Sequence, residues 1–344
     1  MTTRESRIVR LPFDAIADRL TQVLLREGFT DERARRCATI FTETHRDGVA
    51  SHGLNRFPRF VRQIRSGVVD VHAEPVCVAA LGAWEQWDGR LGPGVLNAGI
   101  ATDRAIELAR QHGLGLVALR NTNHWMRGGT YGWQAVRAGF AFIGWTNTTP
   151  NMPPWGTVTA KLGNNPLIIA VPDERTPVVL DVAMSQFSYG RMEVLRLRGG
   201  RLPVPGGYGR EGRLTDDPGA ILDAQRPLPI GYWKGSGLAL LLDLLAAVLA
   251  GGRTTHEIGR ERDELGLSQV FLAIDVARPA GSDAVSRVVR AVIDDLHTAE
   301  PAADGGPARY PGEQVLRTRE ANRRDGIPVD EAVWREILAL LDQL

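Results

Sequence analysis

Apolar positions near the N-terminus of the chain recur with helical spacing and few strand signals over residues 13–66. The first helix that this pattern predicts ends at Gly28, a residue type common just after a helix. Its apolar face consists of Phe13, Ile16, Leu20, Val23 and Leu24. The spacing therefore indicates a helical N-terminal lobe.

Two more helices complete the predicted lobe. One runs from residue 30 or 31 to about residue 48, where the polar turn GVASHG begins. The other runs from Asn55 to Arg65 with Asn55 as its N-cap, because an asparagine side chain accepts a hydrogen bond from the first helical turn. Pro58 falls within that turn, where its missing N–H has little consequence, and Gly67 closes the segment.

The pattern changes at about residue 74 to helices that alternate with short apolar runs, which is typical of an α/β protein. The predicted helices are Leu96–His112, Tyr131–Ala138, Gly237–Ala250, Asp283–Ala299 and Asp330–Leu344. The predicted strands are Gly113–Arg120, Phe140–Asn147, Leu167–Val171, Pro177–Val182 and Gln269–Val276. Residues 299–312 are rich in Pro, Gly and Ala and are predicted to form a long loop.

Length and composition are those of an ordinary globular protein. The 344 residues suggest two domains or one domain with an added lobe, and 43% hydrophobic with 24% charged residues is not the composition of a disordered chain. The chain has 41 Lys and Arg against 40 Asp and Glu, so its net charge of +1 gives no field that would attract nucleic acid or an anionic membrane. We expect neither as a partner.

Three features lead us to expect a cytoplasmic protein. Cys37 and Cys77 form no CxxC pair, which argues against a disulfide framework and favours a reducing compartment. The first dozen residues lack the apolar core of a signal peptide. The longest apolar stretch, Leu238–Ala250, contains Asp243 and is shorter than the roughly 18–20 residues that span a bilayer, so it predicts a buried helix.

Letters that match the dinucleotide fingerprint G-x-G-x-x-A occur at Gly113, Gly115 and Ala118. In a Rossmann fold these glycines follow a strand and open a helix, because the pyrophosphate binds at the helix N-terminus. In this chain they follow a predicted helix and open a predicted strand. We therefore interpret them as a helix C-cap followed by a buried strand.

A second glycine-rich segment, GYWKGSG at residues 231–237, precedes the long apolar helix and carries Lys234. Free N–H groups of a first helical turn, with a lysine beside them, can hold a phosphate or a carboxylate. The spacing is not that of a Walker A loop. Two interpretations stay open: an anion site, and a helix start whose glycines permit close packing.

His52 lies in a polar, glycine-flanked turn between two predicted helices, and Arg56 follows four residues later. A histidine can supply a proton near neutral pH, and a guanidinium can bind a carboxylate through two parallel hydrogen bonds. The pair therefore suits a carbonyl acid as substrate. The alternative is that His52 is a capping or surface residue.

Polar residues also follow two predicted strands, which is where active sites form in α/β proteins. Asn121–Gly129, which contains His124, comes directly after the first of these strands. Trp145–Gly156 follows the next one and mixes amide and hydroxyl groups with apolar side chains. We predict a site at the first segment and a pocket for a polyol or a cofactor at the second.

We predict no metal site. His45 and His52 are seven residues apart, with neither an HExxH motif nor a pattern of two histidines and one carboxylate. The two cysteines have no neighbouring ligands.

Seven segments in chain order together resemble the malate/L-lactate dehydrogenase family. They are SHGLNRFPRF, NHWMRGGTYGW, KLGNNPLIIAVP, VLDVAMSQFSYG, LPVPGGY, GYWKGSGLALLLD and RYPGE. The resemblance extends from about residue 13 to residue 338, and its motifs are long. It implies an α/β, L-sulfolactate dehydrogenase-like fold with a mixed-sheet NAD-binding domain, distinct from the usual Rossmann fold, and a helical N-terminal lobe. It also implies a homodimeric NAD(P)-dependent oxidoreductase.

The resemblance implies roles for individual residues. His52 would donate a proton to the substrate carbonyl, and Arg56 and His124 would contact the substrate. The cofactor, NAD (as NADH) or NADP, would bind at Pro177, Val178, Val179, Leu180, Asp181, Val182 and Ala183, at Trp233 and Lys234, and at Gly312, Glu313 and Gln314. Lys234 is thus implied by the resemblance and also belongs to the anion site considered above.

The implied substrate is a 2-oxo sugar acid that receives a hydride at C2. A relative that acts on malate, lactate, ureidoglycolate or a cyclic imino acid is the first alternative, and a non-catalytic binding protein is the second. Three regions are expected: 1–73 as the helical lobe with His52, 74–120 with 255–344 for substrate and dimerisation, and 121–254 for NAD. Asn164 stands where many members have threonine, so a hydroxyl contact of the family is not carried over.

Overall fold

The structure is a computed structural model that describes residues 7–303 and 305–342. Parts of three sequence predictions lie outside the described residues. They are residues 1–6 of the segment considered for a signal peptide, residue 304 of the predicted long loop, and residues 343 and 344 of the predicted C-terminal helix.

The described residues form thirteen α-helices and eleven strands, joined in part by two 3₁₀ turns, Ala50–His52 and Leu54–Arg56. The helices are α1 Phe13–Arg26, α2 Asp31–Arg46, α3 Phe57–Arg65, α4 Gly94–His112, α5 Gly129–Arg137, α6 Tyr189–Leu197, α7 Pro218–Ala224, α8 Trp233–Ala250, α9 Thr255–Ile258, α10 Ala277–Ala280, α11 Ser282–His297, α12 Glu313–Asp325 and α13 Glu331–Asp342. The strands are β1 Ile8–Leu11, β2 Val76–Leu81, β3 Trp84–Asp88, β4 Leu114–Thr122, β5 Ala141–Thr146, β6 Leu167–Val171, β7 Val178–Val182, β8 Gly207–Tyr208, β9 Leu214–Thr215, β10 Leu267–Ile274 and β11 Ile327–Asp330.

The helices and strands that the apolar spacing predicts are confirmed to within about one helical turn or a few strand residues. The predicted N-cap at Asn55 is wrong. Asn55 lies exposed inside the second 3₁₀ turn, and α3 begins at Phe57 with Pro58 in its first turn. The chain must leave the turn that carries His52 before it can enter an α-helix, which delays the helix by two residues.

Seven strands form one mixed sheet in the order β2-β3-β4-β10-β5-β6-β7. Strands β3 and β4 are parallel, and all the other neighbours are antiparallel. A Rossmann sheet is mostly parallel. The mixed pairing therefore confirms the predicted fold class.

Helices cover both faces of the central strands because the side chains of a strand alternate between the faces. Val117 and Leu119 of β4 pack with α4 and α5 on one face, and Ala118 packs with α8 on the other. The predicted regions 74–120 with 255–344 and 121–254 share this continuous sheet, and their boundary falls between β10 and β5. The division of the chain into three regions stays a prediction.

The N-terminal helices share their core with the C-terminus of the described chain. Ile327 and Val329 of β11 and Ile337 of α13 pack with α1, α2 and α3. Strand β1 pairs antiparallel with β11, from Ile8 opposite Asp330 to Leu11 opposite Ile327. Both ends of the described chain therefore belong to the helical lobe.

The interpretation of the fingerprint glycines is confirmed. Gly113 ends α4 with φ of +90°, and Gly115 lies in β4. A Cβ at Gly115 would lie 2.2 Å from the backbone oxygen of Ala105 in α4. These glycines permit a tight helix-to-strand connection and close packing, as in a C-cap followed by a buried strand.

Helix α8 has one buried and one exposed apolar face. Among the described residues it is the one helix whose length and composition would let it cross a membrane. Ala239, Leu242 and Ala246 pack against the sheet, whereas Leu241 is 55% exposed and Val248 is 72% exposed. The prediction of a buried helix is therefore wrong for the outer face, because the sheet covers only one side of α8.

Candidate active site

The turn between α2 and α3 carries His52 and Arg56. Gly48 has φ of +89°, a conformation in which a glycine reverses the chain without strain. The backbone N–H groups of His52 and Gly53 then both donate to the Val49 carbonyl, at 3.2 and 3.1 Å. These bonds fold the turn tightly and place both predicted catalytic side chains beside the sheet.

His124 lies directly after β4, where the sheet ends. The Asn123 side chain donates to the Leu91 carbonyl at 2.7 Å and anchors this segment. The Met126 N–H donates to His124 Nδ1 at 2.9 Å, so the hydrogen of the neutral ring is on Nε2. The His52 and His124 rings stack with centroids 5.9 Å apart and planes 23° from parallel. The fold thus pairs one histidine from the helical lobe with one from the sheet.

A cavity of about 1130 Å³ adjoins the two histidines. Its volume exceeds the roughly 300–1,000 Å³ of an ordinary small-molecule pocket, so it has room for a substrate together with a cofactor. His52, Arg56 and His124 all line it. Of the predicted pocket segment Trp145–Gly156, Thr146 and residues 148–151 line the cavity, and the rest do not.

Arg56 projects into this cavity without a partner. It has no ion pair or hydrogen bond with the other described residues. Burial lowers the pKa of Arg56, and the positive charge of Arg59 lowers it further. The charges of Glu264 and Glu193 raise it, but neither carboxylate forms an ion pair with Arg56. A partly buried guanidinium without a bonded counter-ion is suited to bind a carboxylate.

Both histidines are biased toward the neutral form. Burial lowers the pKa of His52, and the charge of Arg56 lowers it further, whereas Asp181 raises it. Burial likewise lowers the pKa of His124 well below its usual range, with Arg56 acting in the same direction. His52 Nδ1 lies 3.0 Å from Ser51 Oγ, and Nε2 has no hydrogen-bond partner among the described residues. Nε2 is therefore the nitrogen available to a ligand.

A buried carboxylate, Asp47, joins the two lobes behind the cavity. Arg127, which lines the cavity, donates from Nη1 to Asp47 Oδ2 at 2.8 Å. Arg319 of α12 donates to both carboxylate oxygens, at 2.8 and 2.7 Å. Arg46 adds contacts of 3.2 Å. Asp47 therefore ties the end of α2 to the segment after His124 and to α12.

The predicted cofactor residues fall into two groups. Those that line the cavity are Val179, Leu180, Asp181, Ala183 and Gly312. Asp181 Oδ2 also accepts the Gly129 N–H at 2.7 Å, which fixes the N-terminus of α5. Those outside its lining are Pro177, Val178, Val182, Trp233, Lys234, Glu313 and Gln314. Pro177 lines a different cavity.

Glu313 and Gln314 are engaged elsewhere. The Glu313 carboxylate pairs with His297 at 3.2 Å and with Arg317. Gln314 Oε1 accepts from Arg309 at 3.0 Å. Because their side chains make these contacts, the two residues would bind a cofactor through their backbone. This role stays a prediction.

Trp233 and Lys234 are exposed in the first turn of α8. The segment just before this turn lies beside the chain that follows β7, because the Ile230 N–H donates to the Met184 carbonyl at 2.8 Å. A Cβ at Gly235 would lie 2.2 Å from the Ile230 oxygen. Close packing therefore explains Gly235, while the anion site at Lys234 stays a prediction.

Asp47 and Arg127 belong to the site but were not predicted from the sequence. Arg127 lies in the motif NHWMRGG, so its place in the site could have been inferred from that motif. Its contact with Asp47 could not, because the two residues are 80 positions apart in sequence. Asn164, the departure from the family pattern, lines the cavity and accepts from Thr148 at 3.2 Å and Asn151 at 3.0 Å. Over residues 7–303 and 305–342, no group of three His, Cys, Asp or Glu side chains could hold a metal ion.

Known proteins resemble this chain over nearly its whole length. Residues 11–338 match the family described as malate/L-lactate dehydrogenase. The chain is 47% identical over 334 residues to 2,3-diketo-L-gulonate reductase of Klebsiella pneumoniae (strain 342), which covers 96% of this chain and 100% of that protein.

Solved structures share the fold over nearly the full chain. Sulfolactate dehydrogenase from Methanocaldococcus jannaschii superposes with a TM-score of 0.89 at 28% identity, covering 97% of both chains. Delta1-piperideine-2-carboxylate reductase from Pseudomonas syringae superposes with a TM-score of 0.86 at 26% identity, covering 96% of this chain and 99% of that one.

Proposed function

We propose, from the premise that the chain belongs to the malate/L-lactate dehydrogenase family and is an oxidoreductase, that it reduces 2,3-diketo-L-gulonate to 3-keto-L-gulonate with NADH or NADPH. One arrangement carries this proposal: a stacked histidine pair and a partnerless arginine line one cavity. The identity of 47% to the Klebsiella reductase supports the choice of substrate. The substrate has the carboxylate and the adjacent carbonyl that such a site suits.

Reduction at C2 requires a hydride, a proton and a fixed orientation of the carbonyl. A bound nicotinamide cofactor supplies the hydride. His52 donates a proton from Nε2 to the carbonyl oxygen, a role that contributes about 10²–10⁴ in rate. Arg56 binds the carboxylate through two parallel hydrogen bonds and so fixes the face of the carbonyl.

The proton on His52 depends on the bound acid. In the free site, burial and the charge of Arg56 lower the pKa of His52, so the ring is mostly neutral near neutral pH. A carboxylate bound to Arg56 brings a negative charge that opposes this effect. Nδ1–H of the protonated ring can then donate to Ser51 Oγ, which leaves Nε2–H for the substrate.

We propose that the dinucleotide binds along the edge of the cavity formed by β7 and the start of α12. The Val179 N–H donates to the Pro311 carbonyl at 2.9 Å, so β7 and the start of α12 run side by side. Gly312 has φ of +99°, and a Cβ there would lie 3.2 Å from the Val179 nitrogen. The backbone of Val179–Ala183 and Gly312 would hold the cofactor, and Lys234 would bind a phosphate.

We also propose a homodimer formed through the outer face of α8. A soluble monomer rarely exposes a large contiguous apolar surface. The exposed apolar residues of this face are Leu238, Leu240, Leu241, Leu244, Leu245 and Val248.

A cytoplasmic location is proposed because both cysteines are free thiols.

The assay follows the absorbance of reduced nicotinamide during turnover by the purified protein. The substrates are 2,3-diketo-L-gulonate, pyruvate, oxaloacetate and a cyclic imino acid, each with NADH and with NADPH. We expect kcat/KM to be at least about 100-fold higher for the diketo acid, which is about 2.7 kcal/mol of transition-state discrimination. Preferred turnover of another acid would mean that this acid is the substrate and that the protein is still a reductase of the same family. Cofactor binding without turnover of any acid would favour a non-catalytic protein.

The proton-donor role is tested with His52→Asn, and His112→Asn is the control because His112 is an exposed histidine at the end of α4. We expect His52→Asn to reduce kcat by about 10²–10⁴ while NADH still binds. His112→Asn is expected to keep the kcat of the unmodified protein. A fully active, folded His52→Asn variant would refute the role.

A further inference from the structure

His45 is a buried histidine in the last turn of α2, and both of its ring nitrogens are bonded. It is 4% exposed. The Leu54 N–H donates to His45 Nδ1 at 3.1 Å. His45 Nε2 lies 3.0 Å from the Pro328 carbonyl oxygen of β11. The ring therefore bridges the turn that carries His52 and a strand from the other end of the chain.

These two partners fix the state of the ring. A carbonyl oxygen only accepts, so Nε2 must carry a hydrogen, and a backbone N–H only donates, so Nδ1 must present its lone pair. The neutral ring with its hydrogen on Nε2 satisfies both partners. Burial also lowers the pKa of His45, in keeping with a neutral ring.

The bridge lies against the backbone that connects His52 to Leu54. A Cβ at Gly53 would lie 2.8 Å from His45 Cβ and 2.9 Å from its Cα and backbone nitrogen. Gly53 thus rests directly on helix α2. The N–H of the next residue, Leu54, is then bound by the His45 ring. The position of His52 is set from its C-terminal side by this contact.

We propose that His45 is a positioning residue for the reaction, which holds the His52 turn in the position from which Nε2 of His52 donates its proton to the substrate. The inference rests on the proposed role of His52. The hydrogen bond from the Leu54 N–H to His45 Nδ1 does the positioning. The hydrogen bond from Nε2 to the Pro328 carbonyl selects the ring form in which Nδ1 is free to accept the Leu54 N–H. His45 itself lies outside the cavity lining, so it acts on the reaction through the His52 turn.

The test compares three variants at His45. His45→Phe keeps a ring but loses both bonds. His45→Asn retains an acceptor near the position of Nδ1, and His45→Gln retains a donor near the position of Nε2. His112→Asn is again the control. For each variant kcat, KM for both substrates, NADH affinity and the thermal unfolding midpoint are measured, with kinetics run well below that midpoint.

We expect His45→Phe to lower kcat about 10- to 100-fold with NADH affinity unchanged, because a displacement of about 1 Å at a catalytic group has an effect of that order. His45→Asn should recover more of kcat than His45→Gln, since it restores the acceptor for Leu54. A merely structural histidine would lower the unfolding midpoint but leave kcat of the folded enzyme unchanged.

Three results overturn the proposal. The first is an unchanged kcat in His45→Phe while His52→Asn is inactive, which leaves the proton donor intact. The second is equal kcat in all three His45 variants. The third is full activity of His52→Asn, which removes the proton donor and the positioning role together.

Discussion

Replacement of Asp47 by asparagine should show how much stability comes from the contact that ties α2 to α12 and to the segment after His124. Asp47 is 5% exposed and accepts charged hydrogen bonds from Arg127, Arg319 and Arg46. Asparagine has nearly the same shape but no charge. The substitution therefore leaves three buried guanidinium groups around a neutral amide.

The magnitude follows from the pKa of Asp47. Burial by itself raises this pKa, but hydrogen bonds and charges from Arg319 and Arg127 outweigh burial and lower it to about 2, from 3.8. The difference corresponds to about 2 kcal/mol, because one pKa unit is worth about 1.36 kcal/mol. Breaking a buried ion pair by removing one partner costs about 3–5 kcal/mol, because the remaining charge is uncompensated. We expect a loss of about 3–5 kcal/mol for Asp47→Asn.

Thermal unfolding measures this loss. With about 2.1 cal/mol/K of unfolding entropy per residue, a chain of this length should lose about 4–7 °C in Tm. Asp31→Asn, which removes an exposed ion pair to Arg35 on the surface of α2, is the matched control and should leave Tm unchanged within error. A Tm for Asp47→Asn within 1 °C (roughly the effect of a surface substitution) of the unmodified protein would refute the reasoning.

The same carboxylate gives a pH dependence whose sign is fixed. Its folded-state pKa lies below the ordinary 3.8, so its contribution is present above that value and is lost as pH falls through about 2. Between these two pH values, the free energy of unfolding should therefore change less with pH in Asp47→Asn than in the unmodified protein. Equal slopes would show that Asp47 is not the group that titrates.

Three further substitutions test the proposed site and assembly. Arg56→Lys should lower kcat/KM for the oxo acid by about 10- to 100-fold, mainly through KM, because lysine lacks the bidentate fork. Steady-state kinetics measure this, and an unchanged KM would contradict carboxylate binding by Arg56. Lys234→Gln should raise KM for NADH with kcat retained, and equal NADH titrations would remove Lys234 from the cofactor site. Val248→Glu should convert a dimer to a monomer in sedimentation, whereas a dimer in both proteins would place the interface elsewhere.

Helices with a strong apolar stripe could be predicted from sequence, and elements without one could not. Helix α1 buries Ile16, Leu20 and Leu24 on one face, so its spacing was visible. Helix α12 is mostly charged and was missed, because it is held by ion pairs such as Arg319 to Asp47. Strand β2 was missed because all its residues are exposed, which removes the alternation that marks a half-buried strand.

The candidate site divides along the same line. His52, Arg56 and His124 could be selected because they lie in polar segments next to predicted helices and strands. The stacking of the two histidines joins positions 72 residues apart and depends on how the lobe packs on the sheet. Neither periodicity nor motif spacing carries that information, since the contact is made only after both elements have folded.

The charges around the histidine pair lead to one more expectation about substrate choice. In the proposed mechanism Arg56 binds the substrate carboxylate, and its charge lowers the pKa of His52 in the free site. A substrate that carries a carboxylate therefore supplies its own binding contact and also raises the protonated fraction of the donor. A neutral diketone of similar size would lose both effects, so its kcat should fall along with the rise in KM. If saturating neutral diketone reached the kcat of the acid, protonation of His52 would be independent of the carboxylate, and the charge on Arg56 would serve binding alone.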